Sequence, residues 1–416
     1  LSKRVLIGTS EIAGHFDDYR KGYEACGYSV KTIVRSKLKM FKHIDYDYVI
    51  DEMIPTSSNP WLNLQFKRLN TLLRHFFLFF LCLRADIFHV LWPVGFVKWS
   101  FFLPLIKRFN PKLQIVFNAV GDDVRWRYAE LQECEHLGFV IDPALVKKAE
   151  VEGLVTLEEK LKILRIFEKH ADLILSHPSQ AQIEIRPYRF YYLPMQLDHF
   201  KFSSKRNNKV PIVVHAATER AVKGTDEVIK AVEELKAEGE EFEFRLLERM
   251  PNKELLAQLR EADIVVYNPY GKYTGKLGLE ALASGCLLVT NYDTSFLPVP
   301  PESPVVHTTP DNLKSNLKEL FATLPQQESL RIAGRNWVEK YYETTVVCRR
   351  IVDDLKKLEA GEELELDFYP DFYRTAYTPV LGPDEVALQN RYVEDLKEMK
   401  WYGEAIPSGE RDGLVF

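Results

Sequence analysis

The sequence predicts an α/β protein built from two doubly wound, Rossmann-like domains in series. Three observations carry that expectation. Short apolar runs alternate with helical patterns, as in βαβ units feeding a parallel sheet. The alternation is interrupted once, by the polar segment Phe202-Ser-Ser-Lys-Arg-Asn-Asn-Lys209, and then restarts. The length, 416 residues, exceeds one typical core and suits two domains of about 200 residues each.

The elements follow in order. Val5 to Gly8 reads as the first strand, Phe16 to Cys26 as a helix closed by Gly27, and Ser29 to Val34 as the second strand. Further strands are expected at Tyr48 to Ile50, Ala85 to Val90, Leu113 to Asn118, Ala171 to Ser176 and Phe190 to Leu193. Each is a continuous apolar run, the signature of a strand buried on both faces. The first domain therefore spans 1–200 and the linker 201–209, where turn formers replace apolar residues.

In the second domain, 210–345, the spacing predicts strands at Val210 to His215, Phe242 to Leu247, Asp263 to Asn268 and Leu287 to Thr290. Helices are expected at Thr225 to Glu238, Lys253 to Arg260, around Glu280, and then at Asn312 to Leu324, Glu328 to Tyr342 and Val346 to Lys357. Ligands of such folds bind at the carboxyl ends of the strands, so the expected site is a cleft between the domains.

Residues 346–416 form a C-terminal helix and a tail that is acidic, aromatic and proline-containing from Gly361. Val386, Tyr392, Leu396 and Met399 recur at helical spacing, which predicts a short amphipathic helix over Asp384 to Met399. The tail reads as packing back on the body, as partly disordered, or as an oligomer contact. A second segment also carries two readings. Phe76-Phe-Leu-Phe-Phe-Leu-Cys-Leu83 is too short to span a bilayer and is flanked by Lys67, Arg68, Arg74 and Arg84. It is either a core helix beneath the sheet or an apolar face that touches an anionic membrane surface.

Composition bounds the partners. Hydrophobic residues make up 46% and charged residues 28%, the balance of a globular chain. Residues 1 to 200 carry 27 Lys/Arg against 23 Asp/Glu, while 361 to 416 carry 5 against 13, and the whole chain has a net charge of −5. With no basic stripe interleaved with aromatics, nucleic acid is not an expected partner. The five cysteines are scattered without CxxC spacing, which argues for a reducing compartment and against structural zinc. No apolar leader precedes Val5, so a cytoplasmic location is expected, with peripheral membrane contact left open.

The stretch with most chemistry is Tyr273-Thr-Gly-Lys-Leu-Gly-Leu-Glu-Ala-Leu-Ala-Ser-Gly285, which follows the apolar run Ala262 to Asn268. A strand, a loop carrying Gly275 and Gly278, and a helix ended by Gly285 make a fitting anion site. The first N–H groups of a helix point outward unpaired, and the macrodipole favours a phosphate there. Glu280 would lie in the first turns of that helix. The plainer alternative is an ordinary strand–helix unit with an exposed glutamate.

Taken together, the motifs resemble a GT-B glycosyltransferase of the large retaining group called family four, from about residue 3 to about residue 358. The resemblance rests on Gly8-Thr-Ser-Glu-Ile-Ala-Gly14, Ala85 to Val90, Val120-Gly-Asp-Asp-Val-Arg125, Ala171 to Pro178, Leu193-Pro194, Arg220-Ala-Val-Lys-Gly224 and the Gly275 to Gly285 segment, in that order. It implies two Rossmann-like domains, the second holding a nucleoside-diphosphate sugar. Arg220 and Lys223 match a basic pair that neutralises the diphosphate as it leaves. A helix-capping lysine and a surface arginine are the plainer reading of the pair. Backbone N–H groups of Gly275, Lys276 and Leu277 match the loop that cradles the diphosphate, and Glu280 matches a glutamate that accepts from the ribose hydroxyls.

The chain departs from this pattern at two places. Lys272 stands where the first glutamate of the family's pair is expected, at the donor sugar. Val120 stands where a histidine often faces the reacting sugar. Asp122, Asp123 and Arg125 remain for the acceptor or sugar, although Asp123 equally suits a helix cap. Gly14, His89 and the Gly121 loop are the expected acceptor side. The resemblance implies a hexosyltransferase-like retaining enzyme that works by front-face displacement, with positioning and electrostatics in place of an acid–base dyad. No metal or other cofactor is expected beyond the nucleotide sugar as co-substrate. The acceptor is a glycan, a lipid or a small molecule. The alternative reading is a non-catalytic nucleotide-sugar-binding protein or partner subunit. A two-domain solute-binding receptor is the third.

Overall fold

Among the described residues, seven parallel strands form the first sheet and five parallel strands the second. The computed structural model describes residues 2–37, 44–50, 58–126, 156–206, 208–217, 220, 223–248, 250–292, 294, 297, 299–368, 387, 388, 391, 396 and 399. The chain divides into two compact units. Among described residues, the first comprises 2–126, 156–194 and 344 onward, and the second 195–343.

The first unit contains β1 (Arg4–Thr9), α1 (His15–Ala25), β2 (Ser29–Val34), β3 (Tyr48–Val49), α2 (Pro60–Arg84), β4 (Ile87–Leu91), α3 (Trp99–Phe109), β5 (Gln114–Asn118), α4 (Leu157–His170), β6 (Leu173–Ser176) and β7 (Arg189–Phe190). Its strand order is β3-β2-β1-β4-β5-β6-β7. The order reverses between β1 and β4, so the loops leaving those two strands diverge and open a crevice at their carboxyl ends.

The second unit contains β8 (Ile212–Ala217), α5 (Thr225–Ala237), β9 (Glu243–Glu248), α6 (Asn252–Glu261), β10 (Ile264–Val266), α7 (Gly275–Ser284), β11 (Leu287–Thr290), β12 (Val306–His307), α8 (Leu313–Thr323) and α9 (Glu328–Tyr342). Its order is β12-β11-β10-β8-β9, and the reversal falls between β8 and β10. Val213, Ile264, Val266, Leu287 and Val289 meet Val228, Val232 and Leu235 of α5 and Leu313 and Leu317 of α8 in its core.

The last helix, α10 (Thr344–Glu359), returns to the first unit. Val347, Cys348, Ile351, Val352 and Leu355 pack with Phe16, Tyr19 and Tyr23 of α1. A Cβ on Gly22 would lie 2.3 Å from Cys348 Sγ and 2.6 Å from the Thr344 carbonyl oxygen, so only glycine lets the two helices approach this closely. Thr344 Oγ1 donates to the Asp18 carbonyl at 2.7 Å. Beyond α10, Phe368 pairs with Tyr188 through backbone bonds and stacks on its ring at 5.5 Å. The amphipathic helix expected over Asp384 to Met399 lies mostly outside the described residues.

The polar segment 201–206 is fastened to the second unit. Ser203 N–H donates to the Ser284 carbonyl at 3.4 Å, and Arg206 donates to the carbonyls of Arg260 and Ser284. The apolar run 76–83 belongs to the longer helix α2, which starts where Asn59 Oδ1 accepts from the N–H groups of Trp61 and Leu62 and Pro60 occupies the first turn. That helix is not a core helix. Among its described side chains only Arg74, Leu78 and Cys82 are buried.

Candidate functional site

In the second unit, the loops leaving β8 and β10 meet at the strand-order reversal, and most of the expected donor residues lie on them. Arg220 and Lys223 share one turn. Its carbonyl at Arg220 accepts from Lys223 N–H and Thr225 N–H at 3.2 and 3.0 Å, which leads directly into α5. His215 fixes the turn from below: its Nδ1–H donates to the Val266 carbonyl (2.8 Å), leaving Nε2 to accept from Thr225 Oγ1 (2.9 Å). Burial holds the His215 pKa below its ordinary value, consistent with a neutral ring.

Lys223 Nζ donates to Tyr267 Oη at 2.7 Å and lies 4.2 Å from the centroid of that ring. Tyr267, just after β10, was not among the residues singled out from sequence. The same phenol oxygen would be 2.2 Å from a Cβ on Gly275, whose φ is +53°. A left-handed backbone and an approach this close both require glycine. Tyr267 thus holds the Lys223 ammonium against the start of α7, a link between positions 44 residues apart that no sequence pattern marks.

Helix α7 begins at Gly275, so Gly275, Lys276 and Leu277 form its first turn, and Thr274 before it makes no side-chain cap. Orphan N–H groups at such a terminus favour an anion. Glu280 is on the same helix, 3% exposed, and accepts from Asn252 Nδ2 at 3.3 Å. The plain reading of an exposed glutamate is therefore excluded. Lys272 is buried in the loop before the helix. Arg220 is half exposed and pairs with Asp226 at 3.2 Å and Glu248 at 3.3 Å. Those carboxylates keep the guanidinium at the strand ends, where it can exchange partners with a phosphate.

The remaining expected residues belong to the first unit. Gly14 (φ 84°) caps α1 after β1. Asp123 is fully buried after β5. Its Oδ1 accepts from Gly121 N–H at 2.8 Å and from Val120 N–H at 3.3 Å. Of the roles open from sequence, the structure shows Asp123 acting on its own loop backbone, as a turn cap rather than as the cap of a helix. Burial pushes its carboxyl pKa up to about 7 against the pull of those backbone bonds. Asp122 is half exposed and lies 3.4 Å from Arg125 Nη1. Arg125 N–H also donates to the Gly121 carbonyl at 2.7 Å.

His89 departs from the expected placement on the acceptor side. It lies within β4, 0% exposed, with Nδ1 3.0 Å from Tyr23 Oη and its ring 4.4 Å from that of Tyr19. Sealed beneath α1, the ring reaches no surface, and burial holds its pKa down at about 3. Tyr19 in turn donates to Asn118 Oδ1 at 3.4 Å, which ties this buried network to the end of β5. Among the described residues no group of histidines, cysteines and carboxylates is arranged to hold a metal ion. No disulfide joins the described cysteines, Cys26, Cys82, Cys286 and Cys348, to one another, and Cys134 lies outside the described residues.

Two parallel-sheet Rossmann-like units define the GT-B class of fold. No family model matches the chain, and no curated protein matches it in sequence. Solved structures do match in shape. A sucrose-phosphate synthase from Thermosynechococcus elongatus superposes with a TM-score of 0.58 at 14% identity, covering 87% of this chain and 100% of that one. A glycosyltransferase from Rickettsia africae ESF-5 gives 0.53 at 14% identity over 86% and 98% of the two chains. An alpha-glucosyltransferase solved with UDP and a 13-mer DNA gives 0.52 at 12% identity over 86% and 100%. At these identities the likeness shows the fold, which is GT-B.

Proposed function

We propose that this chain is a glycosyltransferase that moves a sugar from a nucleoside diphosphate to an acceptor hydroxyl with retention. The observation that carries the reading is the cluster at the β8/β10 reversal, where the Lys223 ammonium is held by Tyr267 beside the glycine-opened start of α7. On this reading Lys223 and Arg220 neutralise the diphosphate. N–H groups of Gly275, Lys276 and Leu277 cradle it, and Glu280 accepts from the ribose hydroxyls.

Charge grows on the leaving phosphate as the bond from the anomeric carbon to the phosphate oxygen breaks. Cations at that oxygen therefore stabilise the transition state more than the ground state. The acceptor oxygen bonds to the anomeric carbon on the face the diphosphate leaves, and its proton passes to the departing phosphate oxygen. The first unit supplies the acceptor side through Gly14, the Gly121 loop, Asp122 and Arg125. Asp123 holds that loop in shape, and His89 acts only through the packing beneath it. The acceptor is a glycan, a lipid or a small molecule, and the reaction needs no metal.

Calorimetric titration of nucleoside diphosphates into wild type and Lys223→Ala tests the reading. Binding of one nucleotide that weakens in the variant supports it, and no binding of any nucleotide sinks it. One observation favours a second reading, a non-catalytic nucleotide-sugar-binding protein or partner subunit. Lys272 stands where the family resemblance expects a carboxylate at the sugar. Hydrolysis of a donor sugar by the protein without acceptor would rule that reading out.

A further inference from the structure

The stretch from residue 53 to 121 contains eight lysines and arginines and a single carboxylate, Asp86. Helices α2 and α3 lie within it and contain no Asp or Glu. Of the large apolar side chains that stand exposed among the described residues, all but Val210 and Ile332 are on these two helices. Leu62, Leu69, Leu73, Phe76 and Phe80 recur at three-, four- and seven-residue intervals and so share one face of α2. Leu78 and Cys82, with Arg74, form the opposite, buried stripe. Phe76 is 54% exposed and Trp61 65%.

The patch continues onto α3. Phe109, 60% exposed, packs its ring 5.6 Å from Phe79, and Phe101 is exposed on the same helix. Cations border the apolar surface. Arg68 flanks the α2 stripe, Arg84 ends it, and Arg108 and Lys112 stand on either side of Phe109 in the chain, all of them exposed. A contiguous apolar surface this large on a globular protein marks an interaction site.

We propose that the α2–α3 face is a docking surface for an anionic lipid bilayer. An apolar helical face with basic flanks and no carboxylates is what the headgroup boundary selects. The leucines and phenylalanines enter the acyl edge, and the arginines and lysines meet the lipid phosphates. A second copy of this chain would bring like charges together across the contact. Nucleic acid would satisfy the cations and leave the exposed leucines in water. The helix lies on the membrane and does not cross it, because no described helix is long and apolar enough to span one. The inference is independent of the reaction proposed above.

Cosedimentation of the full chain with phosphatidylcholine vesicles, with and without phosphatidylglycerol, tests it. Wild type is expected to pellet with the anionic vesicles, less so at high salt, and to stay in solution with neutral ones. Phe76→Ser/Phe80→Ser should lower partitioning by about tenfold or more, and Arg68→Glu/Arg84→Glu should also lower it. Neither pair should shift the melting temperature, since these side chains are exposed. Failure of wild type to pellet with anionic vesicles would overturn the proposal. So would unchanged binding by the serine variant, or a dimer of wild type that the same variant dissociates.

Discussion

Lys223 and Tyr267 make a two-point contact: the ammonium donates to the phenol oxygen at 2.7 Å and sits 4.2 Å from the centre of the same ring. Neither residue is near the other in sequence: Lys223 lies near the end of the loop leaving β8 and Tyr267 opens the loop leaving β10, at one strand-order reversal. Tyr267→Phe keeps the ring and removes the acceptor, so nucleoside-diphosphate affinity should fall by less than in Lys223→Ala. The lysine variant loses a charge-assisted bond, about 1.5–3 kcal/mol, or roughly ten- to a hundredfold in affinity by calorimetry. Equal affinities in all three proteins would remove the donor site from this loop.

Gly275→Ala places a methyl group 2.2 Å from the Tyr267 oxygen on a backbone with φ +53°. The strain costs about 1–3 kcal/mol and displaces the tyrosine that holds Lys223. A lowered melting temperature and weaker nucleotide binding should appear together. A variant as stable as wild type would mean that the loop is less constrained than its geometry shows.

Arg331 is buried in the second unit, where Nη1 donates to the carbonyls of Asp263 and Gly285 at 3.0 and 2.8 Å and Nη2 lies 3.4 Å from Asp263 Oδ1. Arg331→Leu strands those acceptors and a buried carboxylate. Urea unfolding should show a loss of about 3–5 kcal/mol.

Asp123 has a folded pKa raised to about 7, above its ordinary 3.8. Its contribution to stability is therefore complete below about pH 4 and is lost as pH rises through 7. His89 works the other way. Its folded pKa is depressed to about 3, so its contribution is present above 6.5 and is lost as pH falls. The two slopes oppose each other between about pH 4 and 6.5. Asp123→Asn keeps an acceptor for Gly121 and removes the charge, so its melting temperature should rise more steeply with pH across that window than wild type's. Parallel profiles would show that Asp123 titrates normally.

Much of the fold was legible because parallel strands are buried on both faces and read as unbroken apolar runs. Ile264–Val266 and Leu287–Thr290 are of this kind, and α8, α9 and α10 begin and end within two residues of their expected spans. What failed was anything that depends on which face of an element is covered. The run at 76–83 is apolar enough for a core helix, yet α2 buries only Leu78 and Cys82 of it and leaves Phe76 and Phe80 exposed, and composition carries no record of that rotation. His89 shows the reverse case, a polar residue in a strand whose neighbours Tyr19 and Tyr23 arrive from another element. The loop residues proposed for the donor were singled out by their glycines and cations, whereas Tyr267 enters only through its contact with Lys223.

The return of α10 to α1 makes the first unit discontinuous in the chain, while residues 195–343 of the second are contiguous. On a ribosome the order of completion is then the reverse of the order of synthesis. Phe16, Tyr19 and Tyr23 are made early, but the residues that cover them, Val347 through Leu355, come after the whole second unit. The nascent first sheet must carry that uncovered helix face until some 320 further residues have been added. A stop just after Glu343 would leave residues 195–343 intact and strip the first unit of its seal.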